Sequence, residues 1–439
     1  MQSRSFPVRI DDNDAIWTEF KELNQKYRCL SLGEGAPGHE PPEFLKAAMF
    51  DAIKEGHNQY SRVMGVPEFV TSVATYYSPK FNREIKAMQE IFVSAGANSA
   101  LNSIIFSLVD PKGGDEVVVF EPSFPMYQNH VQIANGVYKP VPLELQDGLW
   151  SFSEEKLRQA LGPRTKVLII NNAHNPTGKL YTLDELNAIT RVLADFPDVV
   201  VLSDDVYEYL TYDGKKSTLF ASIGDNFNRT ISIFSGGKIF SATGWKIGWA
   251  IGPADIIGAA YGISATNIQC INAPAQVAMG RCLGYASDVQ IYKDGLTYFE
   301  HTRKNFQGVR DAMIAELSQP SDLKIDTVSC ESGFFIMIDI TRCIEQIPIK
   351  FRESHDYEDA LDKAPVLKNK VYMPEGHIPL DLAFCRWMAI ERGVIMMPTS
   401  LFYNVHSPLR VDNLVRLCIC KSLDHSIRAC RRIIGLEKP

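Results

Sequence analysis

Two runs, Val117-Val118-Val119 and Val167-Leu168-Ile169-Ile170, contain no polar residue. A strand with one wet face alternates apolar and polar side chains. A run apolar throughout belongs to a sheet covered on both faces, and such sheets are mostly parallel. Parallel neighbours need a long crossover, usually a helix. The chain provides this alternation between Pro42 and about Ala260. Strand patterns fall at Ile91 to Ser94, Glu116 to Phe120, Val167 to Ile170, Val199 to Ser203 and Ile231 to Phe234. Helical patterns fall at Pro42 to Glu55, Val66 to Tyr77, Ser99 to Leu108, Leu183 to Asp195 and Ala254 to Tyr261. The fold class is therefore α/β, with a mostly parallel sheet flanked by helices. Ligands of such sheets lie beyond the carboxyl ends of the strands.

The 439 residues exceed what one core usually organises, so two domains are expected. Residues 1–40 read as an N-terminal arm that joins the smaller domain, 41–310 as the large domain, and 311–439 as a small α+β domain. The charged, proline-bearing stretch 350–379 reads as an inserted loop within the small domain. A long helix, about Val289 to Leu317, is expected to link the two. The formal net charge of −7 argues against nucleic acid as a partner. No stretch has the length and apolarity of a membrane span, and Met1 to Trp17, with Asp11, Asp12 and Asp14, does not read as a secretory signal. Nine cysteines without a Cys-x-x-Cys pair fit reduced thiols in a cytoplasmic protein. The nine histidines lack ligand spacing, so no metal is expected.

Chemistry collects at the strand ends. Ile231-Ser232-Ile233-Phe234 leads directly into Ser235-Gly236-Gly237-Lys238, which presents an amine on a glycine turn, and Lys246 follows eight residues later. Beyond Ile91 to Val93 come Ser94-Ala95-Gly96-Ala97-Asn98, small residues before a helix, where free N–H groups and the macrodipole favour an anion. Beyond Val167 to Ile170 comes Asn171-Asn172-Ala173-His174-Asn175-Pro176, and beyond Val199 to Leu202 comes Ser203-Asp204-Asp205-Val206-Tyr207. Taken singly these fit a capped helix, an Asn-Pro turn and a capping aspartate. Taken together they supply an anion cradle, an amide, a carboxylate, a phenol and a lysine. Pyridoxal phosphate needs that set: a lysine for its aldehyde, a carboxylate beside its ring nitrogen, and N–H donors with a cation for its phosphate. The literal G-x-G-x-x-G at Gly33 to Gly38 fails as a dinucleotide fingerprint, because Pro37, Pro41 and Pro42 interrupt the required strand-to-helix turn. A loop covering a pocket fits it better.

Stretches along most of the chain sharpen this reading: Asn58-Gln59-Tyr60, Asn175-Pro176-Thr177-Gly178-Lys179, Tyr212-Asp213-Gly214, Gly237-Lys238 through Trp249, Ser400-Leu401-Phe402-Tyr403 and Val415-Arg416-Leu417-Cys418. With them the chain resembles a fold-type I, class I aminotransferase dependent on pyridoxal 5'-phosphate, in particular the kynurenine aminotransferase/glutamine transaminase K group, which also has cysteine-conjugate β-lyase activity. The resemblance implies ping-pong transfer of an amino group from an L-amino acid (kynurenine, glutamine, aromatic or sulfur-containing) to a 2-oxo acid. It implies that Lys238 binds the cofactor aldehyde and later moves the proton, that Asp204 pairs with the ring nitrogen, and that Asn175 and Tyr207 bond its phenolic oxygen. Phe124 would stack on the ring. Ser235, Lys246 and the N–H groups of Ala97 and Asn98 would hold the phosphate, with Tyr60 reaching in from the second subunit of a homodimer. Arg416 would grip the substrate carboxylate beside Asn175, and Gly35 and Trp17 would line the amino-acid pocket.

Three departures stand out: Ala97-Asn98 where the group carries glycine and tyrosine, Ala36 where an aromatic is usual, and Asn272 at a partner-facing position that can carry histidine. The alternatives are β-elimination from cysteine conjugates, an alanine- or methionine-type transaminase, a non-catalytic ligand-binding protein on the same fold, and a nicotinamide oxidoreductase built on Gly33 to Gly38.

Overall fold

A computed structural model describes residues 14–355 and 371–439. Its centre is an eight-stranded sheet with spatial order Ile91–Ser94, Gly248–Ile251, Thr230–Ser235, Val200–Asp204, Thr165–Asn171, Glu116–Glu121, Val137–Gln146 and Leu149–Phe152. The pairings from Thr230–Ser235 across to Val137–Gln146 are parallel. Gly248–Ile251 runs antiparallel to both its neighbours, with Ser94 and Ser235 each opposite Gly248. One edge of the sheet therefore gathers the carboxyl ends of six strands that run in one direction, Ile91–Ser94 among them, and the entry to Gly248–Ile251.

The all-apolar runs are buried on both faces as expected: every residue of Val117 to Val119 and of Val167 to Ile170 is buried. The covering helices bury one stripe each. Leu183–Leu193 turns Leu186, Ile189, Val192 and Leu193 inward, and its start is fixed by a capping box between Thr182 and Glu185.

Several elements differ from the sequence reading. Val137–Gln146 is a ten-residue strand despite Pro140 and Pro142. The stretch Ile247 to Gly280 holds the strand Gly248–Ile251, the helix Ala254–Ile268 and the first half of a second helix, Ala273–Asp288. The long helix starts only at Tyr298, where Thr297 and Glu300 form a capping box, and runs to Leu317.

A second core lies beside the first. Asp326–Thr327, Phe335–Asp339, Leu414–Cys418 and Met397–Pro398 form an antiparallel sheet in that order. The arm joins this core: Leu30–Ser31 pairs in parallel with Val394–Ile395, and the helix Asp14–Tyr27 buries Ile16, Phe20 and Leu23 against it. Of the expected inserted loop 350–379, the described ends include the helix Ile349–Glu353; residues 356–370 lie outside the described chain.

The G-x-G-x-x-G loop follows the short arm strand and leads to no helix turn. Gly35 is glycine because Phe335 occupies the space, a Cβ there lying 2.5 Å from Phe335 Cζ. This is close packing rather than a phosphate turn.

Candidate active site

The carboxyl edge of the large sheet and the small sheet together enclose a cavity of about 260 Å³. Strand Thr230–Ser235 delivers Lys238. Ser235 caps the single helical turn Gly236–Ile239, its Oγ accepting from Lys238 N at 3.4 Å. Neither glycine could carry a side chain, since a Cβ on Gly236 would lie 2.3 Å from Met279 Sδ and one on Gly237 2.9 Å from Thr243 Cα. The turn is thereby wedged, and Lys238 Nζ reaches across to donate to Gly35 O at 2.6 Å. Burial, with Arg416 and Lys246 nearby, pulls its pKa down to about 8.

Strand Val200–Asp204 ends in a carboxylate that is 4 % exposed. Its Oδ2 accepts from Tyr127 at 2.5 Å, and its Oδ1 has no partner. Burial raises its pKa to about 6 against the lowering effect of the tyrosine. From Thr165–Asn171, Asn171 bonds back to Asp204 O and accepts from Asn175 N, which fixes the Asn175 loop.

Arg416, on the central strand of the small sheet, is 2 % exposed. It donates to Asn175 Oδ1 at 2.9 Å and to Gly33 O at 2.7 Å, while its Nε has no partner. Its guanidinium carbon lies 3.9 Å from the Phe335 ring centre and 4.5 Å from that of Phe402. None of these neighbours carries a negative charge. A buried, uncompensated guanidinium is costly, and burial lowers its pKa to about 10. The site is built to receive an anion.

A second anion cradle lies opposite. Helix Ala97–Leu108 begins at Gly96, whose φ of +78° suits glycine. A Cβ on Gly96 would sit 3.2 Å from Lys246 Nζ, and one on Gly248 2.6 Å from Ala97 N. Two glycines thus let a lysine and a helix N-terminus converge.

A model of the aminotransferase class I and II family matches residues 27–433. The chain belongs to the class I and II aminotransferases. It is 34 % identical over 422 residues to a kynurenine–oxoglutarate transaminase of Dictyostelium discoideum, covering 93 % of this chain and 90 % of that one. It is 30 % identical to kynurenine–oxoglutarate transaminase 3 of Bos taurus, covering 97 % and 89 %. Among solved structures it superposes on N-succinyldiaminopimelate aminotransferase from Mycobacterium tuberculosis with a TM-score of 0.82 at 27 % identity, covering 99 % and 100 %. The fold is that of fold-type I transferases. The reaction is amino-group transfer between an amino acid and a 2-oxo acid, with pyridoxal 5'-phosphate as the cofactor.

The cavity of this aminotransferase fits that cofactor. A buried carboxylate oxygen lacks a donor, a helix N-terminus and a lysine await an anion, and a half-desolvated amine stands between them. Trp17, Gly35, Ala97, Asn98, Phe124, Asn175, Asp204, Tyr207, Ser235, Lys238, Lys246 and Arg416 all line it. Of the residues expected to touch cofactor or substrate, Tyr60 alone stands elsewhere. It is 82 % exposed, in a separate concavity with Cys270, Asn272 and Pro274. Asn98 turns its Oδ1 to His130 Nε2 at 3.0 Å, which ties its side-chain oxygen to the protein.

Sequence reasoning missed Phe335 and Phe402, which flank Arg416, and Tyr127, which sits behind Asp204. Tyr127 had one signal: a polar aromatic three residues after Phe124, on the same turn. Among the described residues no cluster could hold a metal ion, and no helix is long and apolar enough to cross a membrane.

Proposed function

We propose that this aminotransferase takes kynurenine and other aromatic or sulfur-containing L-amino acids as amino donors and 2-oxoglutarate or a related 2-oxo acid as acceptor. The observation that carries it is the buried, anion-free Arg416 set between Phe335 and Phe402, with Trp17 6.0 Å away. It offers a carboxylate fork walled by aromatic faces. The kynurenine–oxoglutarate transaminases named above support the donor and acceptor.

Bound pyridoxal phosphate supplies a ring that withdraws electrons from the substrate Cα. The chain's own groups do the rest. Lys238 Nζ would hold the cofactor through its aldehyde and would serve as the amine that takes up and returns the substrate Cα proton. An amine with a pKa near 8 is suited to both directions. Asp204 Oδ1, buried and without a partner, would accept from the protonated ring nitrogen. Asn175 has its Oδ1 occupied by Arg416, so its Nδ2 would be the donor toward the ring's phenolic oxygen, with Tyr207 beside it. Phe124 would cover the ring face, and Ser235, Lys246 and the N–H groups of Ala97 and Asn98 would hold the phosphate. Arg416 orients the substrate carboxylate, and Gly35 and Trp17 shape the space for its side chain.

The working unit in this reading is a homodimer. Tyr60, Phe50 and Ile53 are exposed apolar residues, at 82, 63 and 42 %. Tyr60 beside Asn272 is the group that would complete the partner's phosphate site. Residues 41–310 form the cofactor-bearing domain, and the described residues of 311–439, with those of the arm 1–40, form the domain that brings Arg416. All nine cysteines are free, which fits a cytoplasmic protein.

Amino donors and 2-oxo acids tested in pairs will decide the substrate. Transfer from kynurenine to 2-oxoglutarate at least tenfold above that from aspartate is the expected result. Turnover confined to small or acidic donors would contradict the proposal. Pyruvate release from a cysteine conjugate without any acceptor would instead mark β-elimination.

A further inference from the structure

The short helix Met126–Ile133 packs behind the cavity and contributes nothing to its lining. Tyr127 on this helix is 1 % exposed, yet it carries a hydroxyl into the core. Its ring stands edge-on to Phe124, with centres 5.7 Å apart and planes at 83°, and its N–H donates to Phe124 O at 3.1 Å. Its hydroxyl donates to Asp204 Oδ2 at 2.5 Å. The other carboxylate oxygen, Oδ1, is buried without a partner in a residue that lines the cavity.

A free carboxylate can rotate and offer either oxygen, or both, to a donor. One oxygen held from behind removes that freedom. We infer that Tyr127 is a positioning residue: its hydroxyl locks the Asp204 carboxylate so that Oδ1 alone meets the cofactor's protonated ring nitrogen, and it stabilises the anion so that the proton stays on the ring. This rests on the assignment of Asp204 to that nitrogen.

The groups around Asp204 support the arrangement. Lys238 favours its charged form across the cavity, as does the nearby Val206 N–H. Tyr207 faces it as a phenol that burial holds neutral. Burial pushes the carboxyl of neighbouring Asp205 well above the usual carboxylate range. Tyr127 is the side chain that hydrogen-bonds Asp204 directly. Without it, burial would raise the carboxyl further.

The test uses full-length, cofactor-free protein titrated with pyridoxal 5'-phosphate and with its 1-deaza analogue, in which carbon replaces the ring nitrogen. The unaltered protein should prefer the nitrogen-bearing ligand. Tyr127→Phe should reduce that preference about tenfold, the scale of one hydrogen bond to a charged group, with the analogue's affinity unchanged. Equal losses for both ligands, or none, would overturn the inference, since a merely structural role weakens both alike. In an Asp204→Asn background Tyr127→Phe should cost nothing further in this preference, and an additive loss would overturn it. By 13C NMR of the cofactor-free protein, the Asp204 carboxyl should titrate about one pH unit higher in Tyr127→Phe. An unmoved midpoint would contradict the role. If the unaltered protein failed to distinguish the two ligands, the assignment of Asp204 itself would fall.

Discussion

Replacing Arg416 tests the substrate end of the site. In the structure two of its N–H groups are spent on Asn175 Oδ1 and Gly33 O, while Nε–H has no partner. Of five donors, roughly three remain for a ligand. Two charge-assisted bonds to a carboxylate in a buried site, at about 1.5–3 kcal/mol each, bracket the gain at roughly 3–6 kcal/mol. Losing one partner of a buried charge pair typically costs about 2–5 kcal/mol. Arg416→Gln should therefore lower kcat/KM by roughly 30- to 4,000-fold at about 1.4 kcal/mol per decade. The loss should fall on the amino acid and the 2-oxo acid alike, since both present a carboxylate. Arg416→Lys should fall between, because an ammonium keeps the charge and loses the fork. Steady-state kinetics with each substrate varied in turn measures all of this. An unchanged kcat/KM for either substrate in Arg416→Gln would remove the residue from the site.

Other outcomes follow from the same geometry. Because the Lys238 pKa is lowered to about 8, the reactive neutral amine gains as pH rises through 8 and saturates above it. Cofactor capture by the cofactor-free protein should level off near pH 9, whereas a rate still climbing at pH 10 would mean an ordinary lysine. Gly248→Ala places a Cβ 2.6 Å from the backbone at Gly96 and Ala97. It should destabilise the fold by about 1–3 kcal/mol and weaken inhibition by inorganic phosphate, read by urea midpoint and competition. Gly35→Ala must displace Phe335 from Arg416 and should raise KM about tenfold, the scale of a disturbed cation–π and packing contact, with little change in melting temperature. Mixing inactive Tyr60→Ala with inactive Lys238→Ala protein should restore activity through hybrid dimers, and no recovery would count against a shared site.

The strands that carry the site could be read from sequence because two-sided burial writes them as unbroken apolar runs, and because a polar residue at the end of such a run has few structural uses. Val137–Gln146 escaped because Pro140 and Pro142 argue against a ladder strand. Here they are accommodated in a strand flanked by a parallel neighbour and a short antiparallel partner. Helix Ala273–Asp288 showed no stripe since it is buried on almost every face, from Ala275 through Gly280 without a break. Periodicity is erased when both sides are core. Phe335 and Tyr127 act through Arg416 and Asp204, partners 81 and 77 residues away in the chain, and no local pattern announces such a contact. The glycines at 33 to 38 gave the opposite lesson, a motif by spelling whose glycine at 35 answers to a phenylalanine ring.

The most direct measurement is chemical. Protein loaded with pyridoxal 5'-phosphate, reduced with borohydride, digested and mapped by mass spectrometry should carry the phosphopyridoxyl group on Lys238 and nowhere else. Label on Lys246, Lys179 or any other lysine, or no label at all, would contradict the site described above.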